Sequence, residues 1–87
     1  MTVHMEFFGI PRSRAGVAHL DVDADSLQQA LQAVAAQIPG WGTACLAEQG
    51  LQKGLIANLN GQRFVTDPAT PLQPGDSILI LSADVGG

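Results

Sequence analysis

Residues 25–40 read DSLQQALQAVAAQIPG, and the reading of this stretch decides the fold. Leu27, Ala30, Leu31, Val34, Ala35 and Ile38 recur at helical spacing and make one apolar stripe, with Gln28, Gln29, Gln32 and Gln37 elsewhere on the circumference. Ser26 followed three residues later by Gln29 is a capping-box pattern, in which the hydroxyl and the amide satisfy backbone N–H groups that a helix start leaves orphaned. Pro39 and Gly40 are expected to end the helix, because proline has no N–H to give and glycine permits a left-handed exit. A helix with one apolar stripe needs a partner layer, so the flanking sequence must supply it.

Upstream, Val3, Met5 and Phe7 alternate with His4, Glu6 and Phe8, the period of a strand with one face inward and Phe8 on the outer set. Ala18, Leu20 and Val22 alternate with His19, Asp21 and Asp23, giving a second strand that pairs with the first as a hairpin. The segment from Gly9 to Gly16, with Pro11 and two arginines, is expected to be a solvated loop. Downstream, Trp41 to Gly54 is mixed and reads as irregular or a short helical turn, with Trp41, Leu46 and Leu51 able to fold over a core edge. Leu55, Ala57 and Leu59 alternate with Ile56, Asn58 and Asn60, an Asn60-Gly61 tight turn follows, and Gln62 to Val65 return. Pro74-Gly75-Asp76 is a second turn and launches a last strand over residues 77–81, with Ile78 and Ile80 inward. Two strands, a helix and three more strands, uninterrupted by a linker or repeat, specify an α+β fold. One main amphipathic helix covers one face of a mixed four- to five-stranded sheet, the β-grasp or ubiquitin-like roll, as a single domain over residues 1–87.

Composition bounds what such a chain can do. At 87 residues, 46% hydrophobic, the core is just sufficient, and a deep enclosed active site would consume residues that the core needs, which argues against a self-contained enzyme. One cysteine, Cys45, excludes an internal disulfide and cysteine-only metal sites, and suits a reducing, cytoplasmic setting. No apolar run approaches the roughly 18 to 20 residues that cross a bilayer, and no secretion signal opens the chain, so a membrane role is not expected. A net charge of −4, with Arg12, Arg14, Lys53 and Arg63 forming no dense run, opposes nucleic-acid binding.

Few side chains offer chemistry. His4 and His19 lie on outer strand faces without a carboxylate cluster at ligand spacing, and read as surface histidines. Cys45 lacks a CxxC partner and reads as a small buried hydrophobe. Asp21, Asp23 and Asp25 suit a solvated strand end and a helix N-terminus. No phosphate-binding glycine motif occurs, and Asp76 reads as a turn residue. The distinctive feature is the end of the sequence. Gly86-Gly87 after a strand forms a tail without side chains, able to thread a narrow channel and present the Gly87 carboxylate to another protein. Phe8, Leu79 and Leu81 share the sheet face opposite the helix and would form an apolar docking patch beside that tail.

In this order of elements the chain resembles the MoaD/ThiS family of ubiquitin-like sulfur carriers over nearly its whole length. The likeness rests on Phe7-Phe8 followed by Arg12 and Gly16, on Asn60, on Thr70-Pro71-Leu72 with Pro74-Gly75-Asp76, and on Gly86-Gly87. The long first loop and the length are similar to the molybdopterin-synthase small subunit. The resemblance implies a chemistry held by partners: a ubiquitin-activating-like adenylyltransferase uses ATP to join the Gly87 carboxylate to AMP. A persulfide donor then supplies sulfur, and the resulting thiocarboxylate gives it to an acceptor such as the molybdopterin synthase large subunit. The chain itself would hold no cofactor. Gly86 would give the tail access, and Arg12, on an exposed loop, would help dock the activating enzyme. Residues 81–85, Leu-Ser-Ala-Asp-Val, depart from the aromatic and two prolines common in molybdopterin-synthase small subunits. Thiazole, tRNA thiolation, cysteine-synthesis and tungsten-cofactor pathways therefore stay open, as do a lysine-linked protein modifier and a β-grasp interaction domain that is never activated.

Overall fold

The computed structural model describes residues 1–48 and 50–83. In chain order they form β1 (Thr2–Phe7), α1 (Ile10–Ala15), β2 (His19–Asp23), α2 (Leu27–Gln37), α3 (Pro39–Cys45), β3 (Leu46–Ala47), β4 (Gly50–Leu51), β5 (Leu55–Leu59), β6 (Arg63–Val65) and β7 (Ser77–Ser82). Five strands make one mixed sheet in the order β2-β1-β7-β5-β6, and β3 and β4 form a separate hairpin. The central strand β7 runs parallel to its neighbour β1, and the other neighbours in the sheet are antiparallel. This is the ubiquitin-like β-grasp expected from the element order. Among the described residues no helix is long and apolar enough to cross a membrane.

Strand alternation fills the core. Val3, Met5 and Phe7 of β1, with Ile78 and Ile80 of β7 and Ala57 and Leu59 of β5, are buried against Leu27, Ala30, Leu31 and Val34 of α2. The start of α2 leaves three N–H groups for other partners. Ser26 Oγ accepts from Gln29 N at 3.2 Å, and the carbonyls of Thr70 and Pro68 accept from Leu27 N and Gln28 N. Gln29 Oε1 accepts from Asp25 N at 2.8 Å, one residue earlier than a strict capping box. The Thr70-Pro71-Leu72 segment is thereby strapped across the helix start, where Leu72 is buried and Leu72 N donates to Asp25 O.

At the far end of β7, Asn60 ties the hairpin to the Pro74-Gly75-Asp76 turn. Its Nδ2 donates to Asp76 Oδ1 at 3.0 Å, and its Oδ1 accepts from Ser77 N at 2.8 Å. Asn60 has φ 56°, a left-handed conformation that asparagine tolerates better than most residues. The Asn60 amide and then the Gln73 N–H hold the Asp76 carboxyl below the ordinary carboxylate range.

Four expectations change. Gly9 to Gly16 is not a solvated loop: it contains α1, whose Pro11 and Ala15 are buried and whose Gly16 closes it in the left-handed conformation, donating to Arg12 O at 2.9 Å. The exit from α2 does not use Gly40. The helix stops at Gln37, Ile38 caps it, and Pro39 sits in the first turn of α3, where its missing N–H costs nothing. Residues 41–54 are more ordered than expected, since α3 buries Trp41 against Phe7 with ring centroids 5.6 Å apart and β3 and β4 follow. Finally, the return strand starts at Arg63 rather than Gln62, because Leu59 pairs with Arg63 across a three-residue connection.

Candidate functional site

The three helices leave one sheet face uncovered, and the ladder register fixes what stands on it. Across β1 and β7, Glu6 pairs with Leu79; across β7 and β5, Leu79 pairs with Asn58 and Leu81 with Ile56; across β5 and β6, Asn58 pairs with Phe64. Partners in a ladder point to the same side. Phe8 lies one step beyond the last paired residues of β1, and its N–H donates to Ile80 O at 3.0 Å, which sets it beside Leu81. The expected patch is therefore assembled. Phe8 is 64% exposed, while Leu79 and Leu81 are half-buried between their neighbours.

Phe64 joins this face with 63% of its surface exposed, and the sequence reading missed it. A two-residue Asn-Gly loop would set Phe64 opposite Ala57 and turn it inward. The three-residue connection shifts the register by one and turns it outward instead. Val65, the buried residue of β6, carried the available signal: if Val65 faces the core, its neighbour cannot.

Arg12 stands exposed on α1 rather than on a loop. Together with Phe8 and Val17 it lines a shallow concavity of about 510 Å³. Ile10 and Val17 are exposed apolar residues of the same segment, so the arginine sits among apolar surface. The polar half of the uncovered face lies toward β2, where His4 Nδ1 and Asp21 Oδ1 are 2.6 Å apart across the β1–β2 ladder. Cys45 is buried in the core and burial pushes its thiol up from its ordinary value, which disfavours the nucleophilic thiolate. Among the described residues no three His, Cys, Asp or Glu side chains group as a metal set. The uncovered face thus presents Phe8, Phe64, Leu79 and Leu81 as its apolar surface. Gly86 and Gly87, expected to carry the chemistry, lie outside the described residues, as do Asp84 and Val85. The last described residues, Ser82 and Ala83, follow directly from the Phe8–Leu81 patch.

Three solved structures share this architecture across essentially the whole chain. SAMP1 from Haloferax volcanii superposes with a TM-score of 0.85 at 20% identity, covering 100% of both chains. A chain of the BexX/CysO complex of Amycolatopsis orientalis gives 0.82 at 19% identity, covering 98% of this chain and 99% of that one. A chain from the complex of subunits 1 and 2 of molybdopterin-converting factor from Helicobacter pylori gives 0.67 at 24% identity, covering 100% of both. At these identities the likeness is one of fold. No curated protein sequence matches the chain. The ThiS family model matches residues 5–87, which takes in every strand and helix described above apart from the first residues of β1, and the chain belongs to the ThiS family of ubiquitin-like small proteins.

Proposed function

We propose that this chain is a sulfur carrier that works through its C-terminal carboxylate. The observation that carries the reading is the apolar patch of Phe8, Leu79, Leu81 and Phe64 on the uncovered sheet face, at the end of the strand that leads to Gly86-Gly87. An apolar face of this kind marks a docking site, and its position would bring the tail and the partner together. A ubiquitin-activating-like adenylyltransferase docks there, with Arg12 at the margin of the contact, and takes the tail through the narrow passage that Gly86 permits.

The chemistry is acyl activation. The Gly87 carboxylate oxygen attacks the α-phosphorus of ATP, pyrophosphate leaves, and an acyl adenylate forms. The terminal sulfur of a persulfide then attacks the acyl carbon and AMP leaves. A thiol cleaves the resulting S–S bond, which releases the Gly87 thiocarboxylate and a disulfide. ATP belongs to the activating partner, and the carrier contributes the acyl carbon alone. The acceptor carried forward is a molybdopterin-synthase large subunit, with thiazole formation, tRNA thiolation and cysteine synthesis as the competing destinations.

The test is to incubate the full chain with ATP and the adenylyltransferase and persulfide donor of the same organism, then measure intact mass. Replacement of one oxygen by one sulfur supports the carrier reading, and the change should be abolished by deleting Gly87 while the melting temperature stays fixed. A lysine-linked adduct makes the chain a modifier, and an unchanged mass makes it a binding domain. Incubating the thiocarboxylate form with each candidate acceptor then identifies the pathway by which one takes the sulfur.

A further inference from the structure

Among the described residues Glu6 is the one acidic residue that borders the apolar docking patch, between Leu79 on β7 and His19 on β2. Its ladder partner is Leu79 on β7, and Phe8 follows two residues later on the same side of β1. Lateral neighbours in a sheet lie about 5 Å apart and same-face residues on one strand about 7 Å apart, so a partner that covers Phe8 and Leu79 also covers Glu6. Two cross-strand acid–histidine rungs link β1 and β2. The rung between His4 and Asp21 closes, with 2.6 Å between the two side chains. The rung between Glu6 and His19 does not close: the two residues are paired in register, yet among the described residues the Glu6 carboxylate has neither a hydrogen-bond nor an ion-pair partner. None of the four basic side chains of the sequence reaches it.

An unpaired carboxylate is harmless while the face is solvated. Under a docked protein it loses its water, and the cost exceeds what the surrounding apolar contact returns unless a cation meets it. We propose that Glu6 is the charge-reading residue of the docking face, committing its partner to a basic side chain, an arginine or lysine, set within an otherwise apolar contact surface. This rests on the docking role proposed above and adds the chemistry of the partner. Arginine fits best, since its planar fork can bond both carboxylate oxygens while its guanidinium plane lies against the neighbouring Phe8 ring. Glu6 thereby rejects ubiquitin-activating-like enzymes that offer an apolar or acidic group at that point, which is selection by desolvation of the wrong partner.

The probe is the purified adenylyltransferase of the same organism, titrated with the full-length chain and with Glu6→Gln, Glu6→Leu, Glu6→Lys and Phe8→Asp variants, each checked by thermal melting. Glu6 is exposed and unpaired, so melting temperatures of its variants should stay close to wild type. Loss of a charged hydrogen bond should raise the dissociation constant about ten- to a hundredfold in Glu6→Gln, with Glu6→Lys weaker still and Glu6→Leu no better than Glu6→Gln. Raising salt should weaken wild type more than Glu6→Gln. Glu6→Leu binding as tightly as wild type, or more tightly, while Phe8→Asp abolishes binding, overturns the charge-reading role and leaves the docking face intact. Unchanged binding in both Phe8→Asp and Glu6→Lys overturns the docking face itself.

Discussion

Phe7 and Phe8 are adjacent in sequence and opposite in environment, and truncating each in turn separates folding from docking. Phe7 is 3% exposed and packs on Trp41, whereas Phe8 is 64% exposed. Phe7→Ala removes a buried ring and leaves a cavity, at a cost of about 3 to 5 kcal/mol. With about 4 to 8 °C of melting temperature per kcal/mol in a domain this small, the loss is at least about 12 °C. Phe8→Ala touches no core contact, and its stability change should fall within about 0.5 kcal/mol. Docking reverses the ranking. Full burial of a phenylalanine side chain contributes about 1.5 to 3 kcal/mol. With roughly two-thirds of Phe8 still open to be covered, docking would lose about 1 to 2 kcal/mol in Phe8→Ala, a five- to thirtyfold rise in dissociation constant for the adenylyltransferase. Thermal melts and a binding titration on the same samples read both effects. If Phe8→Ala melts as low as Phe7→Ala, the strand faces are inverted; if it melts like wild type and binds like wild type, the outer patch does not dock this enzyme.

Asn60→Gly keeps the left-handed turn and removes two side-chain hydrogen bonds, so denaturant titration should show a loss of about 1 to 2 kcal/mol, with Asn60→Ala losing about 1 kcal/mol more for its strained φ. The Asp76 carboxyl sits below its ordinary value, so its contribution is present above the unfolded pKa near 4 and fades as pH falls through that value toward the folded one. Asn60→Gly should therefore narrow its gap to wild type as the pH falls below the unfolded value of about 4, and a constant gap from pH 7 to pH 2 would break the linkage. A Cβ on Gly42 would stand 2.6 Å from Ala35 Cβ, so Gly42→Ala should destabilise despite gaining up to about 1 kcal/mol of helix propensity, and Ala35→Gly should relieve the variant in a double-mutant cycle. Arg12→Ala should weaken binding to the adenylyltransferase, with Arg12→Lys restoring part of it; equal binding by all three across low and moderate salt would make Arg12 an ordinary surface charge.

How far the sequence carries depends on whether the information is local. The main helix was legible because its stripe runs through three turns and Ser26 marks its start, and both are properties of consecutive residues. The Pro74-Gly75 turn was legible for the same reason: Gly75 has φ 86° and Asp76 N donates to Gln73 O at 3.1 Å. The two short helices escaped because a helix of six or seven residues is too short to hold itself and has no full apolar stripe. They are held by what they bury, Pro11 and Ala15 in one case and Trp41 and Cys45 in the other. Their usable signal was proline: Pro11 and Pro39 both sit in a first turn, where proline favours helix rather than breaking it. Pro11, between Gly9 and Gly16, read as part of a loop, and Pro39 after Ile38 read as a stop. A proline marks a helix boundary but not the side of it on which the helix lies.

Phe64 and Glu6 were hidden for a different reason. Each is unremarkable on its own strand, and each gains meaning only from the strand beside it. Phe64 becomes part of the patch because β5 places Asn58 next to it and β7 places Leu79 next to Asn58; Glu6 enters the same row from the other side. A row across three strand pairings is set by three registers, and an error of one residue in any of them sends the remainder to the core. Single strands were enough to place Phe8, Leu79 and Leu81 on the uncovered face, but the rows across it were not readable from sequence. Substitutions there do not disturb the packing under α2, so a protein of this architecture can change which partner it meets by exchanging a few outward residues. In this chain a carboxylate between Leu79 and His19, at the border of the apolar patch and without a partner among the described residues, is such an outward choice, and it has its energetic consequence only when another surface covers it.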